Sequence, residues 1–390
     1  MAGLASSFLL QAESALESFV EEHLGDMNCW LLGVKYDVGN DGGKEQFLMD
    51  FKSHIWVTYR RNFMELVPSP VNRPLTSDGG WGCMIRSGQM MLAEALLRKR
   101  LGRDWRIAST GTERARAKKG KQQSTVYSLA HKRTLLHFVD VPHINCDFSI
   151  HRIVQAGLQY GKNPGDWYGP ETISVVLRDL VNMNSHLGVI IHVAHGSLVV
   201  RDDILKICNG AKVSEERSGV KDNSQWANEL LLIIPLRLGL HSINSIYADS
   251  LCGCLEFPQT VGFIGGKPRH SVYYVGHQGK MLKYMDPHTV QNTVHPGMSF
   301  PTIEDLLTYH CMTPRSMKVS DIDPSLALGF LIRNEHDFDD FSRRVQDMFA
   351  RHTPIFELIG HFNSPSRSDG ASSVSMAGAA DDDEDEWMMM

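Results

Sequence analysis

The chain has 390 residues, of which 42% are hydrophobic, 22% charged and 8% aromatic, an ordinary balance for a globular protein with a full core. Its formal net charge of −6 is carried by "DDDEDE" at 381–386, so the rest of the chain has no overall field to draw in nucleic acid. Seven cysteines, at 29, 83, 146, 208, 252, 254 and 311, are odd in number and thinly spread, which predicts free thiols in a reducing compartment; no run of 18 apolar residues is present to span a membrane.

Residues 1–26 lack the basic start and long apolar run of an export signal and read as an amphipathic helical arm, with Phe8, Leu9, Ala12, Leu16, Phe19 and Val20 on one face. Aromatic and apolar runs follow, "CWLLGVKY" and "FKSHIWVTYRRNF", the second predicted helical. In "TSDGGWGCMIRSGQMMLAEALLRKRLG", 76–102, Ile85, Leu92, Leu96 and Leu97 recur near the 3.6-residue period, which predicts an amphipathic helix, and Arg98, Lys99 and Arg100 precede a stop at Gly102. The polar, basic stretch 106–125 is expected to be an exposed loop. "FSIHRIVQAGLQYGK" and "WYGPETISVVLRDLV" predict helices, the latter with Pro170 in its first turn. "LGVIIHVAHGSLVV" and "NELLLIIPLRLG" predict buried strands. Glycine and proline at 253–268 predict a mobile loop, whose Gly262, Gly266, Lys267 and Pro268 miss the spacing of a phosphate cradle. "HSVYYVG" and "KMLKYMDPH" predict a hairpin, and the Ser, Gly, Ala and Asp after 362 predict disorder.

Cys83 falls where the 83–101 helix starts. Unpaired backbone N–H groups and the positive end of the helix dipole there favour a thiolate over a thiol, whereas most free cysteines are simply small buried side chains. A reactive thiolate needs a base and a group to orient that base. Asp286 and His288, two apart in extended chain, project to one side and suit those roles, although Asp-Pro-His is also a good turn. His270 is a rival base, opening the first hairpin strand while Asp286 closes the second. Cys252 and Cys254 are one residue apart with no second pair at zinc-finger spacing, so no metal site is expected; either could instead serve as a resolving thiol.

In order, "TSDGGWGCMIRSGQM", "WYGPETI", "IPLRLGL", "GFIGGKP" and "YMDPHTVQ" resemble the autophagins. These are cysteine endopeptidases of autophagy that process ubiquitin-like modifiers of the light-chain-3 and GABARAP type. The resemblance runs from about Trp30 to Leu358. It implies an α+β, papain-like protease fold with a small auxiliary subdomain at 27–362, between the arm at 1–26 and a disordered acidic tail at 363–390. Carried over by position, Cys83 is the nucleophile, His288 the base in preference to His270, Asp286 its orienter and Tyr59 the oxyanion-hole side chain. Trp167 and a flap around Pro258 would gate the site and restrict it to glycine. Trp387, with Met390 at the third position, offers a modifier-docking motif behind acidic residues, and "FELI" at 356–359 also fits that pattern.

The implied activity is cleavage after the modifier's C-terminal glycine, both maturing the precursor and deconjugating it from phosphatidylethanolamine. The implied partner is that modifier, free or lipid-conjugated, in the cytoplasm, with membranes contacted through the substrate. No cofactor, metal or nucleic acid is expected. An inactive modifier-binding scaffold and a Cys-His-Asp acyltransferase of transglutaminase type are the alternatives. The segment "MELVPSPVNRPL" and the basic loop depart from the family's short form and bear on substrate access.

Overall fold

The β-branched and leucine-rich runs assemble into one mixed sheet in the computed structural model, which describes residues 28–67, 74–107, 128–209, 226–295 and 302–361. The amphipathic arm, most of the basic loop and the acidic tail with Trp387 and Met390 lie outside the described residues. Among the described residues the strands are β1 (Cys29–Leu31), β2 (Val34–Tyr36), β3 (Arg60–Arg61), β4 (Val189–Val193), β5 (Leu198–Val200), β6 (Glu229–Arg237), β7 (Thr260–Gly265), β8 (Val272–Gln278), β9 (Met281–Met285), β10 (Gln291–Asn292), β11 (Arg315–Lys318), β12 (Ser325–Ile332) and β13 (Glu357–Ile359). The main sheet runs β11-β9-β8-β7-β12-β6-β4, with β1 also on β8 and β2 on β1. Every neighbouring pair is antiparallel except β4 with β6.

Both faces of this sheet are covered, so alternate residues of each strand enter different cores. Leu231, Ile233, Val261, Ile264, Tyr273, Val275, Ala327 and Leu331 enter one. Leu230, Leu232, Phe263, Val272, Tyr274, Leu328 and Phe330 enter the other. Helices α1 (Asp41–Phe51), α2 (Cys83–Leu101), α3 (Leu129–Leu136), α4 (Ile150–Gly157) and α5 (Pro170–Asn182) contribute to the first core. Helices α6 (Arg201–Asn209), α7 (Ala248–Cys254) and α9 (Glu335–Phe349) contribute to the second, and the short α8 (Ile303–Leu307) precedes β11. This mixture of helices and mixed sheet is the α+β, papain-like arrangement expected.

Three local expectations are corrected. "FKSHIWVTYRRNF" is not a helix: α1 ends at Phe51, and the following chain is pulled into pairing with residues after β9. Tyr59 N donates to Pro287 O at 2.9 Å, Gln291 N to Tyr59 O at 2.9 Å, and β3 lies parallel to β10. Tertiary pairing there overrides local periodicity. The segment 253–268 is not a mobile loop, because its centre is the wholly buried strand β7. Gly262 is needed for close approach, since a Cβ on it would stand 2.3 Å from the Tyr274 carbonyl oxygen, at φ +79°. Finally, α2 is not amphipathic but buried on every side from Cys83 to Arg98. Its polar residues are paired inside: Gln89 donates to Phe148 O at 2.6 Å, Arg98 to Glu94 at 2.6 Å, and Glu94 also meets His54 at 2.6 Å.

Candidate active site

The turn 78–82 delivers Cys83 to the first position of α2. Asp78, fully buried, organises it: Oδ1 accepts the Arg60 backbone N–H at 2.6 Å and Oδ2 the Arg86 Nε at 2.7 Å, while Arg86 also reaches Asp140 at 2.9 Å. One carboxylate therefore ties the segment after Tyr59 to the first turn of the Cys83 helix. As the first residue of the helix, Cys83 has a backbone N–H with no acceptor within its own helix.

The hairpin β8–β9 delivers the partners. As β9 ends, Asp286 Oδ1 accepts the His288 Nδ1–H at 2.5 Å and the His288 backbone N–H at 3.0 Å. The backbone of this "DPH" segment is held from the Tyr59 side, with the Trp56 indole donating to Asp286 O at 2.9 Å beside the Tyr59–Pro287 bond. Asp286 Oδ2 is paired with Arg315 of β11. Since Nδ1 is committed to Asp286, Nε2 is left to act on the Cys83 sulfur, whose ionisation His288 favours, and to meet Arg269 O at 3.0 Å.

The charges follow from these contacts. Burial works against the His288 imidazolium, but the Asp286 carboxylate and the Cys83 thiolate outweigh it and raise the pKa to about 10. Burial likewise pushes the Cys83 thiol up, yet the polar groups that face the sulfur, His288 first and then those of Ser271 and Tyr59, bring it below the ordinary value. Asp286 is held below the usual carboxyl range despite its burial, through His288 and the Arg315 charge. The arrangement is a thiolate–imidazolium pair with an oriented imidazole, able to perform nucleophilic acyl transfer.

Tyr59 packs edge-on against His288, ring centroids 5.4 Å apart. Its buried hydroxyl makes no hydrogen bond of good geometry and neighbours the Cys83 sulfur, so it is free to donate beside that atom. His270 lies 6.2 Å from His288, ring to ring, while the carboxylate contact belongs to His288. Trp167 stands just before α5, whose Ile173 packs against Gly88 of α2; its indole Nε1 is buried without a partner.

Pro258 is not at the site. Its carbonyl accepts from Arg98, 15 residues and about 22 Å along α2 from Cys83. The chain that does reach the pair is the turn Gly266–His270, exposed from Lys267 onward, where Arg269 takes φ +67° and presents its carbonyl to His288. Cys252 and Cys254 are buried on α7 across the sheet from α2, which removes them as resolving thiols. "FELI" is packed, with Phe356 buried in the second core and β13 paired to β5. No group of three His, Cys, Asp or Glu side chains among the described residues is placed to hold a metal.

Sequence reasoning missed Asp78, Ser271 and Arg315. Asp78 lay inside a quoted motif and carried that signal. Ser271 and Arg315 carried none, because each reaches the site only through strand pairing.

A profile of the peptidase C54 catalytic domain matches residues 44–344. The chain is 37% identical to the cysteine protease ATG4B of Gallus gallus over 361 residues, 86% of each chain. It is 36% identical to the cysteine protease ATG4A of Gallus gallus over 353 residues, 86% of each chain. To the cysteine protease ATG4A of Homo sapiens it is 36% identical over 348 residues, 85% of this chain and 81% of that one.

Proposed function

The chain belongs to the peptidase C54 family, the autophagins, and is a cysteine-type peptidase that processes autophagy modifiers; from that premise we propose that it cleaves after the C-terminal glycine of a ubiquitin-like modifier, maturing the precursor and releasing the modifier from phosphatidylethanolamine. The observation that carries this reading is the joining of a helix-start cysteine to an imidazole oriented by a carboxylate.

In the proposed mechanism the Cys83 thiolate adds to the glycine carbonyl carbon. Negative charge moves to the carbonyl oxygen, where the Cys83 N–H and Tyr59 hydroxyl donate to it; each such donor is typically worth about 3 kcal/mol. His288 gives its Nε2 proton to the departing nitrogen, the C–N bond breaks, and a thioester remains. The neutral imidazole then draws a proton from water, whose oxygen displaces the sulfur and leaves a glycine carboxylate. One nitrogen serves as the leaving group of a precursor peptide and of an ethanolamine headgroup, so both reactions use the same residues.

The turn Gly266–His270 takes the gating role that was expected around Pro258, and Trp167 keeps the gating role that the family resemblance gives it. The turn must move for turnover, since Arg269 O occupies the Nε2 proton that the leaving nitrogen needs. Residues 27–362 act as the protease domain, with arm and tail flanking it. The protein works in the cytoplasm and reaches membranes through its conjugated substrate; no helix among the described residues is long and apolar enough to cross one.

The test is incubation with a C-terminally extended modifier and with the modifier conjugated to phosphatidylethanolamine on vesicles. Cleavage at glycine in both, lost in Cys83→Ser, is expected. Binding without cleavage would select the scaffold reading, and incorporation of an added amine the acyltransferase.

A further inference from the structure

Asp286 has two oxygens, and only one of them serves His288. The other is taken by Arg315, more than two hundred residues from Cys83 and outside every motif that marks the site. Arg315 is the first residue of β11, placed opposite Tyr284 of β9. The register is fixed by the next pair, where the buried Lys283 amine donates to Ser316 Oγ at 2.9 Å. A slip of one residue would turn the guanidinium to the other face.

Resting on the triad assignment above, we propose that Arg315 is a positioning residue for the hydrolysis: its guanidinium holds the second carboxylate oxygen of Asp286 and so fixes the plane and charge that Asp286 presents to His288.

A carboxylate bonded through one oxygen alone can rotate about its Cβ–Cγ bond; one bonded through both cannot without losing a contact. The Asp286 side chain is 19% exposed and that of Arg315 56%, so the pair lies at the rim of the site. There the interaction is a modest contribution to stability, and its effect falls on orientation and local field. The groups around it are His288, Cys83, Tyr59 and His270 on the catalytic side, Tyr284 on β9, and Cys311 in the segment before β11. Burial dominates the ionisation of Tyr284 and Cys311 and raises both, so neither is charged near neutral pH. Arg315 is then the positive charge next to the carboxylate, apart from the imidazolium itself.

Its removal acts in one direction. Without the positive charge, both the thiolate and the Asp286 carboxylate hold protons or a protonated neighbour more strongly. The acid limb of the kcat/KM profile, set by Cys83, and the alkaline limb, set by His288, therefore both move to higher pH.

The experiment is steady-state cleavage of an extended modifier from pH 5 to 11 by wild type, Arg315→Gln, Arg315→Lys and Asp286→Asn, with melting temperatures alongside. Arg315→Gln is expected to lose about 10-fold in kcat with KM within about 2-fold, and to shift both limbs upward. Arg315→Lys, which keeps the charge without the fork, restores the limbs while recovering only part of kcat. Limbs superimposed on wild type, or a loss explained by lowered melting temperature alone, overturn the proposal. Asp286→Asn with wild-type activity would instead sink the triad reading; a disabled Asp286→Asn beside an unaltered Arg315→Gln sinks this inference alone.

Discussion

The three glycines of "GGWG" make the same substitution mean three different things. At Gly82 the backbone, φ −82° and ψ 2°, accepts alanine, but the new Cβ would stand 2.4 Å from Asp78 Oδ2, 2.7 Å from its Cβ and 2.9 Å from its Cγ. Asp78 has nowhere to go, because it is fully buried with its oxygens held at 2.6 and 2.7 Å by Arg60 N and Arg86 Nε. Relief must come from moving the carboxylate off one partner or the turn away from the helix start. Overpacking of this kind costs about 1–3 kcal/mol, or about 2–6 °C in melting temperature for a domain of this size. Either displacement also shifts Cys83 relative to Tyr59 by several tenths of an ångström or more. Misplacement of that order reduces kcat/KM by up to about 100-fold. Gly79→Ala is the internal control, since its Cβ would meet Ser77 Oγ at 3.5 Å and Val290 Cγ2 at 3.7 Å, ordinary contacts that predict a change within about 0.5 kcal/mol. Gly80→Ala lies between, with open space but φ +88°, at roughly 1 kcal/mol and little change in rate. Thermal melts and peptide-release kinetics on the three variants decide it. A Gly82→Ala protein with the melting temperature and kcat/KM of Gly79→Ala would refute the placement of Asp78 and the reasoning built on it.

Other substitutions test the site directly. Asp286→Asn removes the group that holds His288 at about 10, so the alkaline limb should fall toward the ordinary imidazole range near 6.5, with a loss of about 100- to 10,000-fold that a pH–rate profile resolves. An alkaline limb that stays put would show that Asp286 does not set the imidazolium. Tyr59→Phe should lower kcat by about 100-fold with KM nearly unchanged, and equal losses in a substrate-binding assay would move Tyr59 out of the oxyanion hole. Ser271→Ala removes a hydroxyl that faces the sulfur and favours its ionisation, so the pH at which iodoacetamide begins to alkylate Cys83 should rise by less than about one unit while stability stays within about 0.5 kcal/mol. An unaltered alkylation profile would make Ser271 a spectator.

Much of the fold could be read where a residue's environment is decided within one or two turns of chain. The strands β6, β8 and β9 and the helices α4 and α5 lay where their patterns put them, Ser149 capping α4 and Pro170 opening α5. Errors arose where distant chain decides. The aromatic run before Tyr59 has a helix-like pattern but is drawn out by pairing with residues 286–293. The glycines of β7 looked like flexibility and instead let Tyr274 and Leu326 approach closely. The helix starting at Cys83 looked amphipathic because its polar residues find partners in other segments, at His54, Asp78, Asp140 and Phe148.

The site divides along the same line. Cys83 and the Asp286–His288 pair are short-range constructions, a helix start and an i, i+2 pair in extended chain, and both could be named from sequence. What joins them is not short-range. Tyr59 and Asp286 come together because the chain after α1 hydrogen-bonds to the chain after β9, and Cys83 is tied to that same unit by Asp78 reaching Arg60 N. The gate was misplaced by ten residues for a related reason: a proline beside glycines marks a turn anywhere, and only the β7–β8 connection shows which turn overlies the imidazole. Arg269 at φ +67° is the sign of that role. A non-glycine residue held in the left-handed region costs of order 1–3 kcal/mol, and here its carbonyl receives the His288 Nε2–H in return. That bond exists only while Nε2 carries its proton, and acylation of Cys83 consumes that proton. In the proposed mechanism the turn therefore leaves Nε2 before the departing nitrogen takes that proton, and the neutral imidazole that follows offers Arg269 O no donor, so the turn re-anchors only when deacylation restores the imidazolium.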